Sequence, residues 1–298
     1  MHRLAIALAV WMSAAIGAEA EVVSRTPPPA IATEPARDLA HPARLEVVHI
    51  PTGGVKVNGV VLVASGPGPH PTVILLHGLP GNERNLDLAQ AIRRAGWTVL
   101  AANYRGSWGS PGSYRFAQDL EDAKAFLDFV RDPANARAYG FDAHRIALVG
   151  HSLGGWVTAE TAAAEPDLVG AVMISAGDMG QLGALAKANP KAAAQFLDDS
   201  RESLSDVTGE TMAQELAPHA RDWSFADVAP RLANRRLLVL YSNDFVKSHS
   251  EGLIAALKAA GGAQVLTAYE DTDHSWSDKR LVLESLVINY LQSLPPGP

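Results

Sequence analysis

The chain has 298 residues, no cysteine and an apolar share of 47%, enough for one large domain or two small ones and not the make-up of a disulfide-stapled scaffold. Its 25 basic and 32 acidic residues leave a net charge of −7, with no long basic run. Phosphate backbones and anionic lipid repel such a chain, so neither nucleic-acid binding nor a membrane-surface role is expected.

The first segment, MHRLAIALAVWMSAAIGAEA, has a short basic start (His2, Arg3), an apolar stretch from Leu4 and small residues at Ala18 and Ala20. This layout predicts a secretory signal over residues 1–20, cut after Ala20, and a secreted or periplasmic address. A membrane span needs about 20 apolar residues, and Ser13 and Gly17 interrupt this stretch, so no stable insertion is expected once the signal is cut. Residues 21–43 mix proline, alanine and charge without an apolar period, which predicts an extended linker or a strand-edge arm.

From residue 44 the pattern turns regular. RLEVVHI and VKVNGVVLVAS, joined by PTGG, predict an antiparallel pair with a glycine turn. TVILLH is continuously apolar, as a strand buried on both faces should be. A helix around Asn85–Ala95 precedes the strand WTVLAANY. In Phe116–Arg131 the residues Leu120, Ala123, Phe126, Leu127 and Val130 recur at three and four, a helical spacing. RIALVG is the next strand and Ser152–Ala164 the next helix, followed by the strands LVGAVMISAG and RRLLVLYSN. A helix over Gly252–Ala260, the strand AQVLTAY and a helix over Asp278–Leu294 close the chain. Strands alternating with helices predict an α/β domain over 44–298, with about eight mostly parallel strands flanked by helices. Residues 178–234 contain no buried-strand run and predict a helical cap insertion. Asn189 stands there as an N-cap ahead of Pro190, and ETMAQELAPHA forms a second helical piece that stops near Pro218.

The chemistry centres on Gly150-His151-Ser152-Leu153-Gly154. A strand must become a helix here within very few residues, which forces Ser152 into a strained conformation and presents its Oγ at the sheet's C-terminal edge. The flanking glycines let neighbouring backbone approach without a Cβ clash. A serine hydroxyl needs a base to act as a nucleophile at neutral pH, and His274, in the loop between the last strand and the last helix, lies on the same edge. His77 is expected to be satisfied by backbone hydrogen bonds, His151 to turn into packing, and His219 and His249 to be mostly solvated. Asp244, in LLVLYSNDFV, is the acid expected to orient His274, with Asp178 as the runner-up. Asp271 and Asp273 lie too near His274 in sequence and read as turn residues. The oxyanion donors expected are the backbone N–H groups of Leu153 and of Leu79 in HGLPGN. Arg105 either binds a substrate carboxylate or pairs with a buried acid, the second being favoured. Trp108, Phe245 and Trp276 flank the expected site as candidate pocket residues.

LLHGLPGN, NYRGSWGSPG, VGHSLGGW, YSND and DHSW, in that order, resemble an α/β-hydrolase-fold serine hydrolase, and the order Ser, Asp, His is that family's. The chain is most similar there to dienelactone-hydrolase-like and prolyl-oligopeptidase-like catalytic domains, although it has a serine nucleophile, no preceding propeller and no HGGG loop. The resemblance spans about residues 44–294 and implies hydrolysis of a carboxylic ester with a small or medium apolar acyl group, through an acyl-enzyme. An exported serine peptidase or acyl-peptide hydrolase with the same triad is the alternative. A peptidase should show an acidic pair near its pocket, for which Asp198, Asp199 and Glu202 are available. A non-catalytic binding protein of the same fold is the third reading. No metal or cofactor is expected, since neither H-E-x-x-H nor a glycine-rich dinucleotide loop appears. The expected partner is a small-molecule ester or amide, and the oligomeric state is not legible.

Overall fold

A computed structural model describes residues 23–296; the expected signal segment lies outside these. The chain opens with a short helix α1 (Pro29–Ala32), then β1 (Arg44–Thr52) and β2 (Val55–Val63). Gly53 and Gly54 join these strands at φ +52° and +82°, the left-handed pair that a two-residue hairpin turn matched to strand twist requires. Next come β3 (His70–Leu76), α2 (Leu86–Arg94), β4 (Thr98–Ala102), α3 (Phe116–Arg131), α4 (Pro133–Tyr139), β5 (Phe141–His151), α5 (Leu153–Ala164) and β6 (Gly170–Ile174). The insertion follows as α6 (Met179–Ala188), α7 (Pro190–Asp198), α8 (Gly209–Leu216) and α9 (Phe225–Leu232), and then β7 (Leu237–Ser242), α10 (Lys247–Ala259), β8 (Val265–Glu270) and α11 (Arg280–Ser293).

The strands form one eight-stranded sheet in the order β1-β2-β4-β3-β5-β6-β7-β8. β1 runs antiparallel to β2, and β2 to β4; every other pair is parallel. The unbroken apolar runs have a direct cause. In β3, Ile74 and Leu76 face one core while Val73 and Leu75 face another, and in β7 Leu237 and Val239 oppose Leu238 and Leu240. Buried on both sides, these strands have no polar face to show. One core gathers residues of α3, α5 and the insertion; the other gathers α2 and α11.

Residues 23–33 are strapped to the body. Val23 and Ala30 are buried, Arg25 Nε lies 2.8 Å from Glu270, and Asn289 Nδ2 donates to the carbonyls of Ser24 and Thr26. No helix among the described residues is long and apolar enough to cross a membrane.

Candidate active site

β5 runs into α5 with only Ser152 between them. Ser152 takes φ 57° and ψ −118°, a left-handed outlier for a residue with a side chain. It is held there by its own backbone, since Ser152 N–H donates to Ile174 O and Ser152 O accepts from the N–H groups of Gly155 and Gly177. The glycines around it are required by space. A Cβ on Gly150 would run into the Gly154 carbonyl, one on Gly154 into the Leu76 carbonyl, and one on Gly155 would lie 2.5 Å from the Ala176 Cβ. The turn therefore packs against β3 and the end of β6 with no room for another residue type at these positions.

The expected acid and base stand on the two loops beyond β7 and β8. Asp244 Oδ2 accepts from His274 Nδ1 at 2.8 Å, with the Asp244 side chain almost sealed from solvent and that of His274 22% exposed. Burial pushes the Asp244 carboxyl up, but hydrogen bonding, His274 first and then Ser242, outweighs it and holds the group below the usual carboxylate range. The paired ring nitrogen fixes the tautomer: with Nδ1–H given to Asp244, Nε2 of a neutral His274 is free to accept a proton.

Ser152 Oγ forms no hydrogen bond to the His274 ring among the described residues, and the link between the two loops is made by the neighbouring His151. His151 Nε2 donates to the His274 carbonyl at 2.8 Å, and the two rings lie 4.8 Å apart. His151 is buried as expected, and burial first, then the charge of His274, lowers it to about 3, so it stays neutral. His77 is likewise buried and lowered to about 4, mainly by burial, with Nδ1 donating to the Gly78 carbonyl.

The loop after β3 closes the other side. A Cβ on Gly78 would stand 2.9 Å from Ser152 Cβ and 3.5 Å from its Oγ, so this loop touches the serine directly. Leu79 is partly buried, and neither its N–H nor that of Leu153 has a protein acceptor among the described residues. The carbonyl of the next residue, Pro80, is braced twice, by Trp108 Nε1 at 2.6 Å and by Ser203 Oγ at 3.0 Å.

Three expectations change. Trp276 cannot line an open pocket, because it is fully buried and its Nε1 donates to Ser175 Oγ at 3.1 Å. Trp108 is half-buried and serves as a brace, its indole N–H committed to Pro80. His249 is not a solvated side chain: its Nδ1 accepts from the Asp178 N–H, and burial lowers its pKa. Phe245 is 66% exposed beside the site, its ring 4.5 Å from that of His274.

Asp178 is the N-cap of α6, accepting from Gln181 N and also from Phe225 N at the start of α9, which leaves it a structural part of the insertion. Arg105 is buried against Asp122 at 2.7 Å and Glu121 at 2.5 Å. His219 stacks on Trp223 and bonds Asp222. Sequence reasoning passed over Gly78, Ser175 and Ser242. The last two end strands at the same edge as Ser152, and position at a strand's carboxyl end is the signal that marks them.

Residues 73–283 match the model of the alpha/beta hydrolase family. An uncharacterised protein of Mycobacterium tuberculosis is 28% identical over 139 residues, which are 46% of this chain and 48% of that protein. The chain thus matches about half the length of this curated relative. Among solved structures, an esterase of Pyrobaculum calidifontis is 18% identical with a TM-score of 0.62, over 85% of this chain and 87% of the other. The acylaminoacyl peptidase of Pyrococcus horikoshii is 15% identical with a TM-score of 0.63, over 86% of this chain and 42% of its own. At such identities the likeness to these two is one of fold.

Proposed function

The chain belongs to the alpha/beta hydrolase family, and from that premise we propose that it is a serine hydrolase of carboxylic esters bearing a small or medium apolar acyl group. The observation that carries this reading is the Asp244–His274 hydrogen-bonded pair at the sheet edge where Ser152 is held in a strained turn. Ser152 Oγ attacks the ester carbonyl carbon while His274 Nε2 takes its proton, and Asp244 stabilises the resulting imidazolium. The carbonyl oxygen becomes negative in front of the Leu79 and Leu153 N–H groups, which have no competing protein acceptor. Collapse of this intermediate expels the alcohol, protonated by His274, and leaves an acyl group on Ser152. Water, deprotonated by His274, then attacks the acyl carbon and releases the acid.

An apolar acyl group suits the mouth of the site. Phe245 stands largely exposed next to His274, and the exposed Phe196 of α7 meets it at 6.4 Å. Of the three carboxylates that could hold a free amino terminus, Asp198 is already engaged by Arg201 and the Gly209 N–H, which leaves Asp199 and Glu202 for the amide reading; a matched ester and anilide panel separates the two. With residues 1–20 read as an export signal, the substrate is an ester met outside the cytoplasm.

The test is turnover of p-nitrophenyl esters by Ser152→Ala. The expected loss in kcat is at least about 10³-fold, typical of removing a nucleophile from such a unit. Undiminished turnover would remove the mechanism.

A further inference from the structure

Behind the Asp244–His274 pair lies a second set of polar groups, all sealed from solvent. Trp276 Nε1 lies 3.1 Å from Ser175 Oγ, Ser175 Oγ 2.9 Å from Ser242 Oγ, and Ser242 Oγ 2.8 Å from Asp244 Oδ2. Trp276, Ser175 and Ser242 each have no exposed surface.

One arrangement of protons runs the length of this chain, set by a Ser242 hydroxyl directed at Asp244. An indole N–H only donates and an ionised carboxylate only accepts. Ser242 has one hydroxyl proton, which goes to Asp244; Ser175 must then give its own to Ser242 and accept from Trp276. Each donor polarises the next, so the series ends with its positive side on Asp244 Oδ2. The same oxygen receives His274 Nδ1–H, while Oδ1 is fixed by the Val246 N–H at 3.0 Å.

Two backbone outliers accompany the chain. Ser175 has φ 42° and Trp276 φ 57°, both in the left-handed region that residues with side chains seldom adopt. Such conformations persist only where the structure around them over-determines them, and they cluster at functional sites. An indole buried only to fill space requires neither.

We propose that Trp276, Ser175 and Ser242 form a one-way hydrogen-bond relay whose task is to hold the Asp244 carboxylate ionised and aimed at His274. This rests on the serine-hydrolase reading for its purpose, although the relay itself exists in the resting protein. Its three members never meet substrate; they are positioning residues. The relay joins the ends of β6 and β7 to the loop after β8, so three separate strand ends agree on where the acid points. The ionisable groups facing Asp244 besides His274 are His151, from the end of β5, and His249 on α10. Both of these are shifted toward the neutral form, so apart from His274 the carboxylate depends on hydrogen bonds for its stabilisation.

The experiment compares Ser242→Ala and Trp276→Phe with the parent full-length chain. The Asp244 carboxyl carbon is followed by 13C NMR against pH, its signal assigned by its loss in Asp244→Asn. Removing a donor from the ionised form makes protonation easier, so the Asp244 midpoint rises in Ser242→Ala and rises less in Trp276→Phe. In the same order the acid limb of kcat/KM moves to higher pH, because acid and base titrate as a pair. The expected fall in kcat for Ser242→Ala is about tenfold, the scale of one hydrogen bond to a charged group, with KM changed less than about twofold. A midpoint unmoved in both folded variants overturns the relay. Should Ser242→Ala fail to fold, a folded Trp276→Phe decides alone: it deletes the N–H donor and leaves a smaller aromatic ring in its place. The carboxyl titration needs no turnover, so it judges the relay even if Ser152→Ala shows that the hydrolase reading is wrong.

Discussion

At the scale of single residues, the site depends as much on missing side chains as on reactive ones. The places of Ser152, Asp244 and His274 in the fold were legible because each follows a strand, buried for the first two, and topology alone puts the ends of parallel strands on one edge. Gly78 was not legible in that way: nothing in HGLPGN says that its first glycine will face the serine across the sheet. Trp276 was misread because an aromatic in a loop looks the same in sequence whether it opens on solvent or, as here, closes onto Ser175. The glycine offers a direct test. A methyl group at Gly78→Ala meets Ser152 Cβ at 2.9 Å, so either the loop or the serine must shift. With attack geometry sensitive to displacements of about 1 Å, kcat should fall about 10–100-fold. Circular dichroism should show a normal fold, and a kcat equal to that of the parent would mean that the loop yields without moving the serine.

At the scale of elements, the strands were the clearest reading and the insertion the least clear. The central strands announced themselves through residues buried on two faces, and β1 and β2 through the glycine turn that joins them. Within the insertion, α7 and α8 carry recognisable caps, Asn189 accepting from Ala192 N and Thr208 pairing with Thr211. α6 was missed because Gly180 and Gly183 dilute its helical signal, and their reason is tertiary. A Cβ on Gly180 would lie 2.6 Å from Ser224 Cα, and one on Gly183 2.5 Å from the Leu216 carbonyl. α9 carries Pro230 inside it and was hidden for that cause. Asp178 ties the two together, capping α6 and accepting the Phe225 N–H of α9. Asp178→Ala should therefore lower stability by about 1–2 kcal/mol, the worth of a good cap, and Tm by roughly 2–8 °C. The acid limb of kcat/KM should stay in place, because Asp178 makes no contact with His274. A limb that moved would return Asp178 to the role of catalytic acid.

At the scale of the whole molecule, the parts of the site sit at unequal depths in the sheet. Ser152 ends β5, a central strand paired on both sides by β3 and β6. His274 follows β8, which has only β7 as a neighbour and is mostly half-buried. Edge elements with less burial open at lower free energy than central ones. On heating, esterase activity should disappear several degrees below the loss of far-UV circular dichroism, while a fluorophosphonate-labelled Ser152 stays protected from proteolysis until the main transition. Coincident curves would mean that the rim and the centre melt as one unit. The double anchorage of Pro80 has a consequence of its own. One of its braces, Trp108, belongs to the body, and the other, Ser203, belongs to the insertion. Movement of the insertion away from the body would unfasten Ser203 and leave the Pro80 carbonyl, in the loop beside Ser152, held by Trp108 alone.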